Sequence, residues 1–443
     1  MKKFWGLLAL LCTLAMIVVG CGGGVPAKPT ADPAKPFAGK TIRFVASNHN
    51  WTEVIKPMIP EFEKQTGIKV NMESYEEQQL TPKLTTEFTS NASTIDVFMT
   101  RPLQEGRLFS KNKWYEPLNP YLADIKKTPA DWDWKDFKKS AVDAVTLSDS
   151  VYAIPIVTEG EIIYYRKDLF EKAGVKVPTT LDELEAAAKK LNDPTNGVYG
   201  VVMRGQRNPS VTQFSGVLFS FGGDFIKNGK CVLDSPEALK AFQYYGRLLK
   251  NYGPPGVTNM SWPQAQALFQ SGKVAMWIDA SVLGGPLLDK AKSAVYDKVG
   301  YAVFPAGPAG AKPFEVVPWA LAISAQSKNK DAAWEFAKWL TSKDIMTRAI
   351  AKQQTVARTS AWADKEATKN WPAGFAEVSA KTGQIAVPYD RPLMTAVVEA
   401  RDAIGDVIVK SIETGGTADL TPMLKEVVIK VNELLAKNNE GGK

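Results

Sequence analysis

Residues 152–184 read YAIPIVTEGEIIYYRKDLFEKAGVKVPTTLDEL, and their reading decides the fold. An apolar run at 152–157, broken by Pro155, meets the polar residues Thr158, Glu159 and Glu161 around Gly160. A second apolar run at 162–165 opens into a helical pattern at 167–173, which Gly174 stops. Two strands joined by a short polar link with a central glycine predict a chain crossing between two lobes. Carboxylates at such a crossing, Glu159 and Glu161, are expected in the cleft, where a ligand reaches them.

Upstream, β-rich runs at 40–47, 68–72 and 95–99 alternate with helical patterns, one ending at Gln65 before Gly67 and one at 78–88. Strand, helix, strand is the rhythm of a doubly wound α/β lobe. Ligands in such folds lie beyond the carboxyl ends of the strands. That rule places Asn48, His49, Trp51, Thr100 and Arg101 along one edge of the cleft. Downstream come a helix at 181–191, a strand at 199–203 and the Gly222-Gly223 turn. A helix at 235–252 follows, with Ser235 as its cap and Pro236 in its first turn. Strands are expected at 273–278 and 301–305, and VVPWALAIS at 316–324 is expected to cross back between the lobes with Trp319. Helical patterns at 330–341, 393–412 and 422–435 complete the chain.

The N-terminus reads as a targeting segment. Lys2 and Lys3 precede an apolar run at 4–19 that ends in Gly20-Cys21 and three glycines. A small residue directly before cysteine resembles a bacterial lipobox, in which the thiol is lipidated and residues 1–20 are removed. An uncleaved anchor is the rival reading, since the run is near spanning length. Residues 21–36, rich in Gly, Pro, Ala and Lys, cannot bury a core and make a tether. The leader carries two lysines and no acid, so 54 basic and 47 acidic residues become 52 and 47 on its removal, a net charge of +5. Those charges are scattered and mixed, which is no nucleic-acid footprint. Of the three cysteines, Cys12 leaves with the leader and Cys21 would carry lipid, so Cys231 has no internal disulfide partner and reads as a small, partly buried hydrophobe. A single histidine excludes a multi-histidine metal centre, and no nucleotide-binding glycine motif is present.

Three segments carry a family resemblance. YYRKDLFEKAGVKVPTTLDEL resembles the Y-N-K-D-L-F-x-K-A-G-x-x-P-x-T-W-x-E-L segment of family 1 extracellular solute-binding proteins, the carbohydrate receptors of ABC importers; Arg166 and Leu181 depart from it. ALFQSGKVAMWID at 267–279 resembles F-x-x-G-K-A-A-M, and residues 330–340 resemble K-x-x-A-W-x-F-x-K-W-L. In maltose-type members a ligand-binding glutamate stands six residues before the tyrosine, and Glu159 holds that place. The resemblance further implies a ligand-facing loop at Trp277, Asp279 and Ser281, and a site region around Arg358 in QQTVART.

A sugar or polyol needs charge-assisted hydrogen bonds for its hydroxyls and a flat aromatic surface for its C–H faces. Glu159, Glu161, Trp277, Asp279, Trp319 and Arg358 supply both, and Tyr389-Asp390-Arg391 add a cluster in a proline-flanked loop. The same tryptophans also fit core positions, and Arg358 and Arg391 fit structural ion pairs. The expected architecture is periplasmic-binding-protein-like: two α/β lobes joined by crossing hinge segments, with a ligand cleft between. The first lobe is expected over 37–157, the second over 158–298, a return segment over 299–350 and C-terminal second-lobe and hinge helices over 351–443. The expected function is a lipid-anchored, monomeric receptor on the outer face of the cytoplasmic membrane or in the periplasm. It would hand a sugar or sugar alcohol to ABC permease subunits, with no cofactor, metal or nucleic acid. An acidic solute such as a glycerol phosphate is the first alternative. An envelope glycoside hydrolase with paired carboxylates, or a scaffold lipoprotein, follows.

Overall fold

The computed structural model describes residues 35–91 and 94–441. The leader, Cys21 and all but the last two residues of the 21–36 tether lie outside the described residues. Eight strands build the principal sheet: β1 (Thr41–Ser47), β2 (Lys69–Tyr75), β3 (Val97–Thr100), β4 (Ile154–Arg166), β5 (Tyr199–Val202), β6 (Val274–Ala280), β7 (Val299–Val303) and β8 (Glu315–Ile323). Their order is β2-β1-β3-β8-β4-β6-β5, with β7 also on β4. The β1–β2, β1–β3 and β6–β5 pairs are parallel, the signature of strands separated by helices. The chain has the two-lobed α/β architecture.

β4 makes the crossing. It is one unbroken strand of thirteen residues, not two strands around a polar link, and all but Tyr165 are buried. The polar residues do not interrupt it because both sides are paired. Glu159 and Gly160 lie against Val316 and Glu315 of β8, and Glu161 lies against Ala280 of β6. At about 3.3 Å per residue the strand spans roughly 43 Å, enough to serve both lobes. Its first half faces β8, which continues to β3, and its second half is flanked by β6 and β7. β8 returns across the boundary with a register shift between Val316 and Trp319. Pro318 sits in that bulge; it has no N–H to give the ladder.

Val299–Val303 opens the segment read as a return over 299–350, whose crossing was expected at 316–324. It still pairs with the second-lobe half of β4, so the chain crosses back at Glu315. The helix Ser210–Ser220 has no forerunner in the sequence reading. All eleven of its residues are buried, so no polar face marks a helical period. Elsewhere local signals act as expected. Gly174 ends the helix Lys167–Ala173 in the left-handed conformation at φ 63°. Thr180 and Glu183 form a reciprocal capping box at the start of Leu181–Leu191.

The first lobe packs Phe44, Phe62 and Phe336 on one side of its sheet, and Phe88, Phe98, Phe109 and Tyr115 cluster together. The second packs Phe214 against Phe242 and Tyr245. Cys231 is buried, and burial pushes its thiol up to about 11. No helix among the described residues is long and apolar enough to cross a membrane.

Candidate functional site

A chamber lies where the two lobes meet. His49, Glu77 and Arg101 come from the carboxyl ends of first-lobe strands. Glu159 and Trp319 come from the crossing strands β4 and β8. Arg204, Thr212, Trp262, Leu283 and Arg391 come from the second lobe. The room open to the centre of a water molecule is about 30 Å³. The lobes are closed on one another, and direct bonds cross the gap: Trp262 Nε1 donates to Glu77 at 3.2 Å, and Arg391 Nη1 donates to Gln104 at 2.7 Å.

Every guanidinium of the lining is held. Arg101 donates to Glu105 at 2.7 and 3.0 Å and to Glu77 at 2.7 Å, and lies over the Trp319 ring, 5.4 Å from its centroid. Burial opposes ionisation of Glu77, but Arg101, Arg204 and Arg401 hold its carboxyl down at about 2. Arg204 makes a two-pronged bond to Asp279, at 2.6 and 3.1 Å, and Gln213 Nε2 donates to the same carboxylate at 2.8 Å. Arg391 clasps Asp390 at 2.5 and 2.6 Å. Arg401, buried behind Arg391, finds only neutral acceptors: Gln104 Oε1, the Asn208 carbonyl and Thr212 Oγ1. His49 accepts the Trp51 N–H through Nδ1 and packs 5.8 Å from the Trp319 ring; burial pulls its pKa down to about 4, so it is neutral.

Glu159 differs from these. It is 8% exposed, and among the described residues its carboxyl has no hydrogen-bond partner. Burial pushes its carboxyl up to about 8; Arg204 pulls against this, while Asp279, Asp390 and Glu77 add to it. Near neutral pH it is mostly the uncharged acid, able to donate one hydrogen bond and accept others. It also borders a second pocket of about 250 Å³ beside Thr355, Trp362 and Ser379.

Of the residues singled out in the sequence, Arg101, Glu159, Trp319 and Arg391 meet in the chamber, and Asp279 supports it through Arg204. Others do not reach it. Asn48 is exposed and donates to Glu76. Trp51 is fully buried in the first-lobe core, and Thr100 lies beneath the edge, 2.6 Å from the Tyr115 hydroxyl. Trp277 is core: its ring stacks on Tyr164 at 4.8 Å, facing into the lobe. Arg358 is fully buried against Asp136 and the carbonyls of Thr341, Trp132 and Asp133, with Trp132 and Phe137 about its guanidinium. Tyr389 gives its hydroxyl to Asp224 instead. Glu161 lies too deep. Among the described residues neither of its carboxyl oxygens has a hydrogen-bond partner, it sits under Gly216, and burial pushes its carboxyl well above the usual range.

The sequence reading missed Glu77, Arg204, Thr212, Trp262, Gln104 and Arg401. Two of these had a signal: Glu77 follows the end of β2 and Arg204 the end of β5, the same position that pointed to Arg101. Among the described residues no group of three or more His, Cys, Asp or Glu side chains is arranged to hold a metal.

The profile of the family described as bacterial extracellular solute-binding protein matches residues 48–347, and this chain belongs to that family. It is 34% identical over 287 residues to the mannitol-binding protein of Pseudomonas aeruginosa, a match that covers 64% of each chain. Among solved structures it resembles an ABC transporter solute-binding protein of Agrobacterium radiobacter K84 in complex with ribitol. There the TM-score is 0.82 and the identity 30%, over 90% of this chain and all of that one. It also resembles one of Agrobacterium vitis S4 with bound D-mannitol, with a TM-score of 0.79 and 29% identity, over 91% of this chain and all of that one.

Proposed function

We propose that this protein is the receptor of an ABC importer for a neutral polyol or small sugar, which it encloses between its lobes and delivers to membrane permease subunits. The observation that supports this most is Glu159, an uncommitted buried acid in a lining whose other charges are matched. Glu77, Glu105, Asp279 and Asp390 stand against Arg101, Arg204 and Arg391, while Arg401 behind them bonds neutral acceptors. A ligand without net charge leaves that balance intact. An anion in the chamber would have to compete for Arg101, Arg204 and Arg391, each already engaged by a carboxylate, which counts against the phosphorylated solute. The hydroxyls of a polyol pair with both faces of a neutral carboxylic acid, and Trp319 and Trp262 offer surface to its C–H groups. The mannitol- and ribitol-binding relatives support the same ligand class.

A thermal-shift screen with erythritol, ribitol, mannitol, glucose, maltose and glycerol 3-phosphate tests this. A ligand that binds only the native state raises the melting temperature by mass action. A rise of several degrees with at least one neutral polyol, without its turnover, is the expected result. A rise with glycerol 3-phosphate alone would replace the neutral reading.

Attachment to the membrane through a lipidated Cys21 is part of the same proposal and has its own check. Mass spectrometry of the protein from cells should find a diacylated Cys21 at the new N-terminus, and Cys21→Ser should release the protein into the soluble fraction. An unmodified Cys21 in the mature protein would remove the anchor from the proposal. The receptor is expected to act as a monomer.

A further inference from the structure

A second space adjoins the chamber. This larger hollow lies between the helix Glu77–Thr89 of the first lobe and the helices Val397–Thr414 and Thr421–Lys437. Its volume is about 690 Å³ against about 30 Å³ for the chamber. Thr81, Thr85, Gln104, Asn208 and Thr395 give its wall hydroxyls and amides, beside apolar residues such as Leu108 and Val398 and the charged Glu399 and Lys437.

One wall separates the two spaces. Arg101 borders both; Thr212 and Arg391 border the chamber, and Gln104 and Asn208 border the hollow. Gln104 Oε1 accepts from Arg391 Nη1 at 2.7 Å and from Arg401 Nη1 at 2.8 Å. Arg401 Nη2 in turn donates to Thr212 Oγ1 at 3.1 Å and to the Asn208 carbonyl at 3.0 Å. Gln104 follows β3 on the first lobe, whereas both arginines stand on the second. The wall therefore exists only when the lobes are closed. It does not stop a long ligand from entering an open cleft; it stops the lobes from closing over one.

We infer that Gln104 sets the length of the ligand, by sealing the polyol chamber from the larger hollow, which would otherwise take one further sugar unit. This rests on the polyol reading and adds a specificity-determining residue to it. The neutral amide suits the position. Its single oxygen serves two guanidiniums at once, and its removal frees space without leaving a charge of its own.

Calorimetric titration of the parent chain, Gln104→Ala and Gln104→Asn tests this, each against erythritol, ribitol, mannitol and maltitol, a hexitol bearing one glucosyl unit. The parent should bind a compact polyol and reject maltitol. Gln104→Ala should bind maltitol at least about tenfold more tightly than the parent does. It should also hold the compact polyol about 10- to 100-fold more weakly, because two charge-assisted bonds across the lobes are lost. Gln104→Asn, shorter by one methylene, gives the same reading should the alanine variant not fold. Maltitol binding by the parent overturns the inference, as does failure of both folded variants to gain it. The two ideas fail separately. A parent that binds none of the compact polyols defeats the ligand class, whereas compact polyols bound by every protein and maltitol by none defeat the wall alone.

Discussion

Asp279→Ala should destabilise the ligand-free protein by about 3–5 kcal/mol, the usual cost of removing one partner from a buried ion pair. Asp279 is fully buried, and three groups depend on it: the Arg204 guanidinium, the Gln213 amide and the Ala280 N–H. Alanine leaves a guanidinium that is nine-tenths buried without its carboxylate, and among the described residues no other carboxylate bonds to Arg204. Arg204 borders the chamber, so loss of its anchor also frees it to swing into the ligand's space. Affinity for a polyol should fall together with stability. Asp279→Asn keeps an acceptor for Gln213 and nearly the same volume, and should lose clearly less stability than the alanine variant. Urea unfolding of the three proteins at pH 7, followed by calorimetric titration, makes the comparison. A loss below about 1 kcal/mol for Asp279→Ala would mean that water reaches Arg204 and that the pair is not structural.

Asp279 also shows where sequence reasoning runs out. Its neighbourhood was legible: the 267–279 segment pointed to a strand that ends at the cleft, and β6 does end there. What a linear reading could not supply was the face on which each side chain falls. Trp277 and Trp319 are both tryptophans in apolar strands close to a crossing. One stacks on Tyr164 inside the lobe, and the other, re-aimed at the Pro318 bulge, borders the chamber. Arginines divide the same way. Arg101 follows a strand end and could be placed by rule. Arg358 is caged by three backbone carbonyls from distant turns, and Arg401 sits within the helix Val397–Thr414; only tertiary packing tells their roles apart. Element boundaries read well where a glycine or a cap bounded a helix. The continuity of β4 did not, because Thr158, Glu159 and Glu161 look like loop residues until β6 and β8 are placed on either side.

Glu159 yields the second large effect, and its sign follows from burial. In the unfolded chain this carboxyl ionises near its ordinary 4.5, whereas in the folded protein it keeps its proton to about 8. Between those values the native state binds more protons than the unfolded state, so the contribution of Glu159 to stability falls as pH rises. The loss runs at up to about 1.4 kcal/mol per pH unit and levels off above pH 8. Glu159→Gln has no proton to lose. The stability difference between it and the parent should therefore widen in favour of the variant from about pH 5 to pH 8. Glu161, whose carboxyl burial also pushes up, is present in both proteins and cancels from the difference. Binding separates the two substitutions further. Glutamine retains a donor and an acceptor and should bind a polyol nearly as well as the parent at pH 7. Glu159→Ala removes both and should weaken binding by about 10- to 100-fold. Urea midpoints across pH 5 to 9, paired with titrations at pH 7, provide both readings. Stability curves that stay parallel for the parent and Glu159→Gln would mean that Glu159 is ionised in the folded protein. The chamber would then carry a negative charge, and a ligand with a cationic group would fit it better than a neutral polyol.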